Sequence, residues 1–107
     1  MPFQPTFDEP QPTRAQVESL PGLVVLEFGT PWCGFCQNAQ PLLQAALAAR
    51  QDIRHIKVED GRGRPLGRAF GVKLWPTVVV LCDGREVSRL VRPTRRQELD
   101  DAFGVDP

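Results

Sequence analysis

The stretch "LVVLEFGTPWCGFCQNAQPLLQAALAAR", residues 23–50, decides the fold. Its first six residues, Leu23 to Phe28, make a nearly continuous apolar run between Gly22 and Gly29. Such a run reads as a strand buried on both faces. From Cys33 to Arg50 the residues are good helix formers, with Leu42, Leu43, Ala46 and Leu47 at helical spacing. Pro41 interrupts that pattern and predicts a kink. "IRHIKVE", Ile53 to Glu59, reads as a second strand. Strand, helix and strand at this spacing form a βαβ unit, so the two strands are expected to run parallel.

Working outward, residues 1–12 carry four prolines and few apolar side chains. They read as an extended arm with room for one short edge strand, since proline removes ladder donors. Thr13 and Gln16 make a capping-box pattern for a short helix that ends at Pro21-Gly22. On the other side, "GRGRPLGRAFG" gives a loop and a short helix ending at Gly71. "TVVVLC", Thr77 to Cys82, is a third strand, and Asp83-Gly84 turns it into the antiparallel "EVSRLV". Thr94 is read as the cap of a last helix, with Leu99, Ala102 and Phe103 inward and Gly104 after it. The expected fold is an α/β domain over residues 13–107, three layers α/β/α around a mixed sheet of four strands.

At 107 residues the chain has room for one core. Its formal net charge of zero gives no general attraction to nucleic acid or an anionic membrane. Two local basic runs, Arg62/Arg64/Arg68 and Arg92/Arg95/Arg96, read as solvated faces. No apolar run approaches the ~18 residues of a bilayer span. "MPFQPTFDEPQP" shows no apolar signal core, and three sparse cysteines do not make a secreted disulfide framework. A cytoplasmic monomer with reduced thiols is the expectation.

Cys33 and Cys36 are separated by two residues, just after a buried strand and at the opening of a helix. A sulfur at Cys33 would face unpaired backbone N–H groups, where the helix dipole favours the thiolate. Cys36 follows at i+3 on the same face, a separation that suits a disulfide. Zinc is one alternative, but a closed site needs four ligands and only Cys82 and His55 remain to complete it. A permanent staple is another, but so short a loop adds little stabilisation. A redox couple, one thiol attacking and one resolving, is the favoured reading. Cys82 reads as a small buried apolar residue.

These residues resemble the thioredoxin family. Trp32-Cys33-Gly34-Phe35-Cys36 is similar to its Trp-Cys-Gly-X-Cys active site, and Pro41 falls where the family kinks this helix. Phe70-Gly71-Val72 and Trp75-Pro76-Thr77 resemble its aromatic-Gly-Val segment and its cis-proline loop. The likeness runs from about Leu23 to Phe103. It implies a cis bond before Pro76, a redox-active Cys33–Cys36 disulfide, and substrate contact at Trp32, Gly34, Phe35, Trp75, Pro76 and Thr77. It also implies a thiol–disulfide oxidoreductase acting on protein disulfides, recharged by a thioredoxin reductase or another dithiol donor, with no bound cofactor or metal.

Four positions depart from the family pattern. Phe35 replaces the usual proline or histidine, Gly29 stands where an aromatic is common, Trp75 replaces Ile or Val, and Arg92 lies where a glycine is usual. Phe35, Trp75 and Arg92 favour the competing reading, a redox-sensing or adaptor module that binds partners without efficient turnover. Glu27 is the one acid in the first strand. It reads as a buried general acid or base for Cys36, against the plainer reading of an edge carboxylate in water. His55 and Lys57 share one face of the second strand, and the sequence does not choose which lies beside Glu27.

Overall fold

A computed structural model of the chain describes residues 3–104. Helix α1 (Arg14–Glu18) is followed by β1 (Leu23–Gly29), α2 (Gly34–Ala48), β2 (Arg54–Glu59), α3 (Leu66–Ala69), β3 (Thr77–Cys82), β4 (Arg85–Val91) and α4 (Arg96–Phe103). The four strands form one mixed sheet in the order β2-β1-β3-β4. β1 is parallel to β2 and antiparallel to β3, and β3 is antiparallel to β4. This is the α/β thioredoxin-like architecture the sequence predicts.

The alternation of β1 sorts the core into two halves. Leu23 and Val25 face α2 and α4, packing with Leu43, Leu47, Leu99 and Phe103. Val24, Leu26 and Phe28 face α1 and α3, packing with Val17, Leu66 and Phe70. Glu27 continues the first set, so its carboxylate lies under α2 rather than in water; it is buried. Every residue of β1 is buried, because helices cover both faces of the sheet. Pro41 lies inside α2, where the apolar stripe carries the helix past its missing N–H.

Two expectations are corrected. The described part of the N-terminal arm adds no strand to the sheet. Pro5, Pro10 and Pro12 lack donors, so a regular ladder cannot form. The arm instead fastens to β2 piecemeal: Asp8 N donates to Lys57 O at 2.8 Å, and Gln11 Nε2 donates to Glu59 O at 2.8 Å. Thr94 does not cap α4; Arg95 occupies that position. The Thr94 hydroxyl donates to Glu98 Oε1, which also accepts the Thr94 and Arg95 backbone N–H groups at 3.0 Å each. Glu98 thus does the capping from inside the helix.

Candidate active site

The end of β1 delivers Gly29 and Thr30 to the mouth of α2, and Cys33 is the N-cap of that helix. Its Sγ accepts the Cys36 backbone N–H at 3.2 Å. The same sulfur lies 4.0 Å from the Trp75 carbonyl oxygen. A sulfur so placed meets a helix N-terminus and its unpaired donors.

Cys36 sits one turn in, on the buried side, 4% exposed against 8% for Cys33. Burial pushes its thiol up to about 12; the hydrogen bond with Cys33 and the neighbouring Cys33 and Glu27 charges add to this, while a backbone bond from Thr30 opposes it. Gly29 makes the room: a Cβ there would stand 2.6 Å from the Cys36 sulfur.

Behind Cys36 lies a buried polar network. His55 Nε2 and Glu27 Oε1 are 2.9 Å apart, and Gln40 Nε2 donates to Glu27 Oε2 at 2.7 Å. Lys57 Nζ donates to Gln40 Oε1 at 2.9 Å and to Pro5 O at 3.2 Å. His55 therefore lies directly beside Glu27, and Lys57 reaches it through Gln40. A cavity of about 50 Å³ touches Cys36, Glu27, Gln40, Lys57 and Thr30. It is large enough to admit water. Thr30 Oγ1, which borders it, is the only buried side-chain polar atom among the described residues without a partner. Gln40 had no signal of its own in the sequence; only its i+4 relation to Cys36 on one helical face hinted at it.

The Trp75–Pro76 peptide bond is cis, and the loop that carries it lies against the Cys33 sulfur. The Thioredoxin family model matches residues 8–103. The chain belongs to the thioredoxin family. A thioredoxin of Chlamydia muridarum is 38% identical over 71 residues, 65% of this chain and 69% of that one. The solved structure of thioredoxin 2 from Pseudomonas aeruginosa in its reduced form is similar with a TM-score of 0.84 and 50% identity, over 94% of each chain. A thioredoxin of Nicotiana alata is similar at a TM-score of 0.70 and 30% identity, over 82% of this chain and 76% of that one. Family and fold both support a thiol–disulfide oxidoreductase role.

Around the sulfurs the protein has an apolar rim. Trp32 is 72% exposed and Phe35 55% exposed. Trp75 is half-buried and meets Trp32 edge-on, with ring centroids 5.5 Å apart. Its indole Nε1 donates to Asp60 Oδ2 at 2.9 Å. Asp60 was invisible in the sequence as a site residue, since fifteen residues and a helix separate it from Trp75. A Cβ on Gly34 would meet nothing within 4 Å, so its surface lies open beside Cys33. Thr77 is buried and its hydroxyl donates to Leu74 O at 2.6 Å, tying the loop down. Cys82 lies in the core away from the pair. Among the described residues no cluster of three His, Cys, Asp or Glu side chains is arranged to hold a metal, and no helix is long and apolar enough to cross a membrane.

Proposed function

We propose that this thioredoxin-family protein reduces disulfides in other proteins, turning over through Cys33 and Cys36. One observation carries the reading: Cys33 Sγ accepts a helix-terminal N–H at 3.2 Å while Cys36 waits behind it as a buried thiol. The Cys33 thiolate attacks one sulfur of the substrate disulfide. A Cys33–substrate bond forms, the substrate S–S bond breaks, and one substrate thiolate leaves. Cys36 then gives up its proton and attacks Cys33. The Cys33–Cys36 disulfide forms and the second substrate thiolate leaves, so two electrons have passed to the substrate.

With its thiol pushed up to about 12, Cys36 needs an acceptor for that proton near neutrality. Glu27, across the small cavity, is the acceptor in this reading. Trp32, Gly34, Phe35, Trp75 and Pro76 form the surface the substrate meets, and Thr77 braces it. A dithiol donor, such as a thioredoxin reductase, restores the pair; no bound cofactor takes part. A cytoplasmic setting, where thiols are held reduced, suits a monomer working in this direction.

Reduction of insulin disulfides with dithiothreitol as electron source tests the reading. The wild type should turn over, and Cys33→Ser and Cys36→Ser should each abolish turnover. Binding of disulfide proteins without turnover would instead favour the adaptor reading.

A further inference from the structure

We propose that Arg92 is a specificity-determining residue: its guanidinium anchors a carboxylate next to the cysteine of the incoming protein disulfide. The proposal rests on the reductase reading and names the class of substrate it prefers, polypeptide disulfides with an Asp or Glu flanking the cysteine.

The backbone gives the first observation. Arg92 has φ 52, in the left-handed region. Among the described residues only Asp83, in the β3–β4 hairpin, shares a positive φ without being glycine. Asp83 is explained by its turn. Nothing in the Arg92 backbone calls for arginine; glycine would sit there without strain. A side chain kept in a disfavoured conformation points to a use for that side chain.

The side chain gives the second. Arg92 Nε donates to Trp75 O at 2.8 Å, and its guanidinium carbon stands 4.1 Å from the Phe35 ring centroid. Trp75 O is the same oxygen that lies 4.0 Å from Cys33 Sγ. One carbonyl thus places the cation within two short contacts of the reacting sulfur. The Nε bond spends one of five N–H donors, and stacking on Phe35 holds the planar fork in place.

The third is charge. Several arginines are paired, Arg64 with Glu9 and Glu59, Arg89 with Glu86 and Arg96 with Asp100, but the one beside the cysteine pair is not. Arg92 forms no ion pair among the described residues. The nearby carboxylates are engaged elsewhere, Glu98 by backbone N–H groups at α4 and Asp60 by the Trp75 indole. Beside the guanidinium runs a groove of about 290 Å³, lined by Phe35, Asn38, Leu42, Arg92, Pro93 and Thr94. A substrate chain crossing from Cys33 would lay a flanking side chain there. An acidic one meets a prearranged fork on an apolar wall, where a charge-assisted pair is stronger than in open water.

Two series of short disulfide-bridged peptides, differing only by Asp or Asn beside each cysteine, test this. Wild type should reduce the Asp series with a kcat/KM about fivefold higher at low salt, the gain lying in KM and shrinking as salt screens it. Arg92→Gly, which suits the backbone, should erase the preference; Arg92→Lys should keep only part of it. Equal rates for both series in wild type, or a preference that survives in Arg92→Gly, would overturn the assignment. Cys→Ser versions of the peptides, bound without turnover and followed by tryptophan fluorescence, separate binding from reduction. Tighter binding of the Asp form, lost in Arg92→Gly, supports the anchor even if no peptide is reduced; equal binding overturns it. Failure to reduce any peptide would count against the reductase reading alone.

Discussion

His55 Nε2 lies 2.9 Å from Glu27 Oε1, with the two side chains 0% and 1% exposed. The hydrogen-bond pattern assigns the proton between them. Gln4 N–H donates to His55 Nδ1 at 2.7 Å, so Nδ1 is an acceptor and carries no hydrogen. The ring proton is on Nε2 and is donated to Glu27. Gln40 is oriented by the same logic. Its NH₂ group faces Glu27 Oε2 and Cys36 O, both acceptors, and its oxygen faces the Lys57 ammonium. Both oxygens of the buried carboxylate are therefore served by donors, one of them held in place by the N-terminal arm.

Removing His55 should then cost more than the packing of its ring. His55→Ala leaves one oxygen of Glu27 buried with its donor lost. A destabilisation of about 3 kcal/mol is expected, the upper end of the scale for leaving a buried charged acceptor without its donor. The double variant His55→Ala/Glu27→Gln should recover part of it, because the orphaned charge is gone. Urea denaturation of the wild type, His55→Ala, Glu27→Gln and the double variant measures this, and additive losses would show that the two side chains are not coupled.

Glu27→Gln should slow resolution of the mixed disulfide while sparing the first attack. Two effects oppose each other. Loss of the negative charge eases ionisation of Cys36, whose thiol that charge helps raise. Loss of the proton acceptor hinders it, and near neutrality this dominates because a thiol near 12 is almost wholly protonated. Decay of a trapped mixed disulfide should slow about tenfold at pH 7, at the low end of general-base effects. The gap from wild type should close in strong alkali, where hydroxide replaces the carboxylate. Superimposable pH profiles for the two proteins would remove Glu27 from the path.

The reduced protein should lose stability in alkali through Cys36. Its folded thiol is raised from 9.0 to about 12, so between those values the folded chain keeps a proton that the unfolded chain has released. The unfolded state binds fewer protons there, and stability falls as pH rises. Below pH 9 the contribution is fully present. Reduced wild type should show a steeper decline from pH 9 upward than Cys36→Ala, measured by chemical denaturation under reductant. Parallel declines would contradict the burial of this thiol.

Alkylation should separate the two sulfurs. In Cys36→Ser the remaining site thiol is Cys33, at the helix N-terminus; in Cys33→Ser it is Cys36, held back by burial. Iodoacetamide at pH 7 should modify the first variant at least about tenfold faster, since only the thiolate reacts. Faster modification of Cys33→Ser would reverse the assignment of nucleophile and resolving thiol.

Much of this site could be read from sequence because its parts are local. The run Leu23–Phe28, the CxxC at a helix opening and the lone acid Glu27 all lie within one short segment, residues 23–36. The sequence leaves Glu27 open between a buried acid and an edge carboxylate; sharing the face of Leu23 and Val25 puts it under α2. What could not be read depends on contacts between distant segments. The β1–β2 register sets Lys57, not His55, opposite Glu27, yet His55 makes the bond. That outcome depends on Gln40 capturing Lys57 from α2 and on the arm capturing His55 through Gln4. Arg92 reads both as part of a solvated basic run and as a departure from the family's usual glycine; what the sequence does not show is the backbone turn at φ 52 that folds it onto Phe35. Thr94 carries the right residue type for a cap, but the helix starts one residue later, and Glu98 reaches back to the Thr94 and Arg95 N–H groups.

Asp60 should hold Trp75 still, and losing it should blur the site. Asp60 N–H donates to Gly29 O at 2.8 Å, which anchors the residue to the end of β1. Its carboxylate lies over Gly67, where an added Cβ would come within 2.1 Å of Oδ1, so the side chain fits only because that residue is glycine. From this fixed seat Asp60 accepts the Trp75 indole N–H, and Trp75 in turn packs edge-on against Trp32. Asp60→Ala removes the anchor and leaves the indole with its aromatic contact alone, worth about 1 kcal/mol. Gly67→Ala should act in the same direction by displacing the carboxylate. In a Trp32→Phe background, where Trp75 is the only tryptophan, both changes should shorten the decay of fluorescence anisotropy. Reduction of insulin should weaken severalfold, chiefly through KM, because a wandering indole no longer presents a fixed wall beside Cys33. Unchanged anisotropy in Asp60→Ala would mean that the loop itself, not Asp60, fixes the ring.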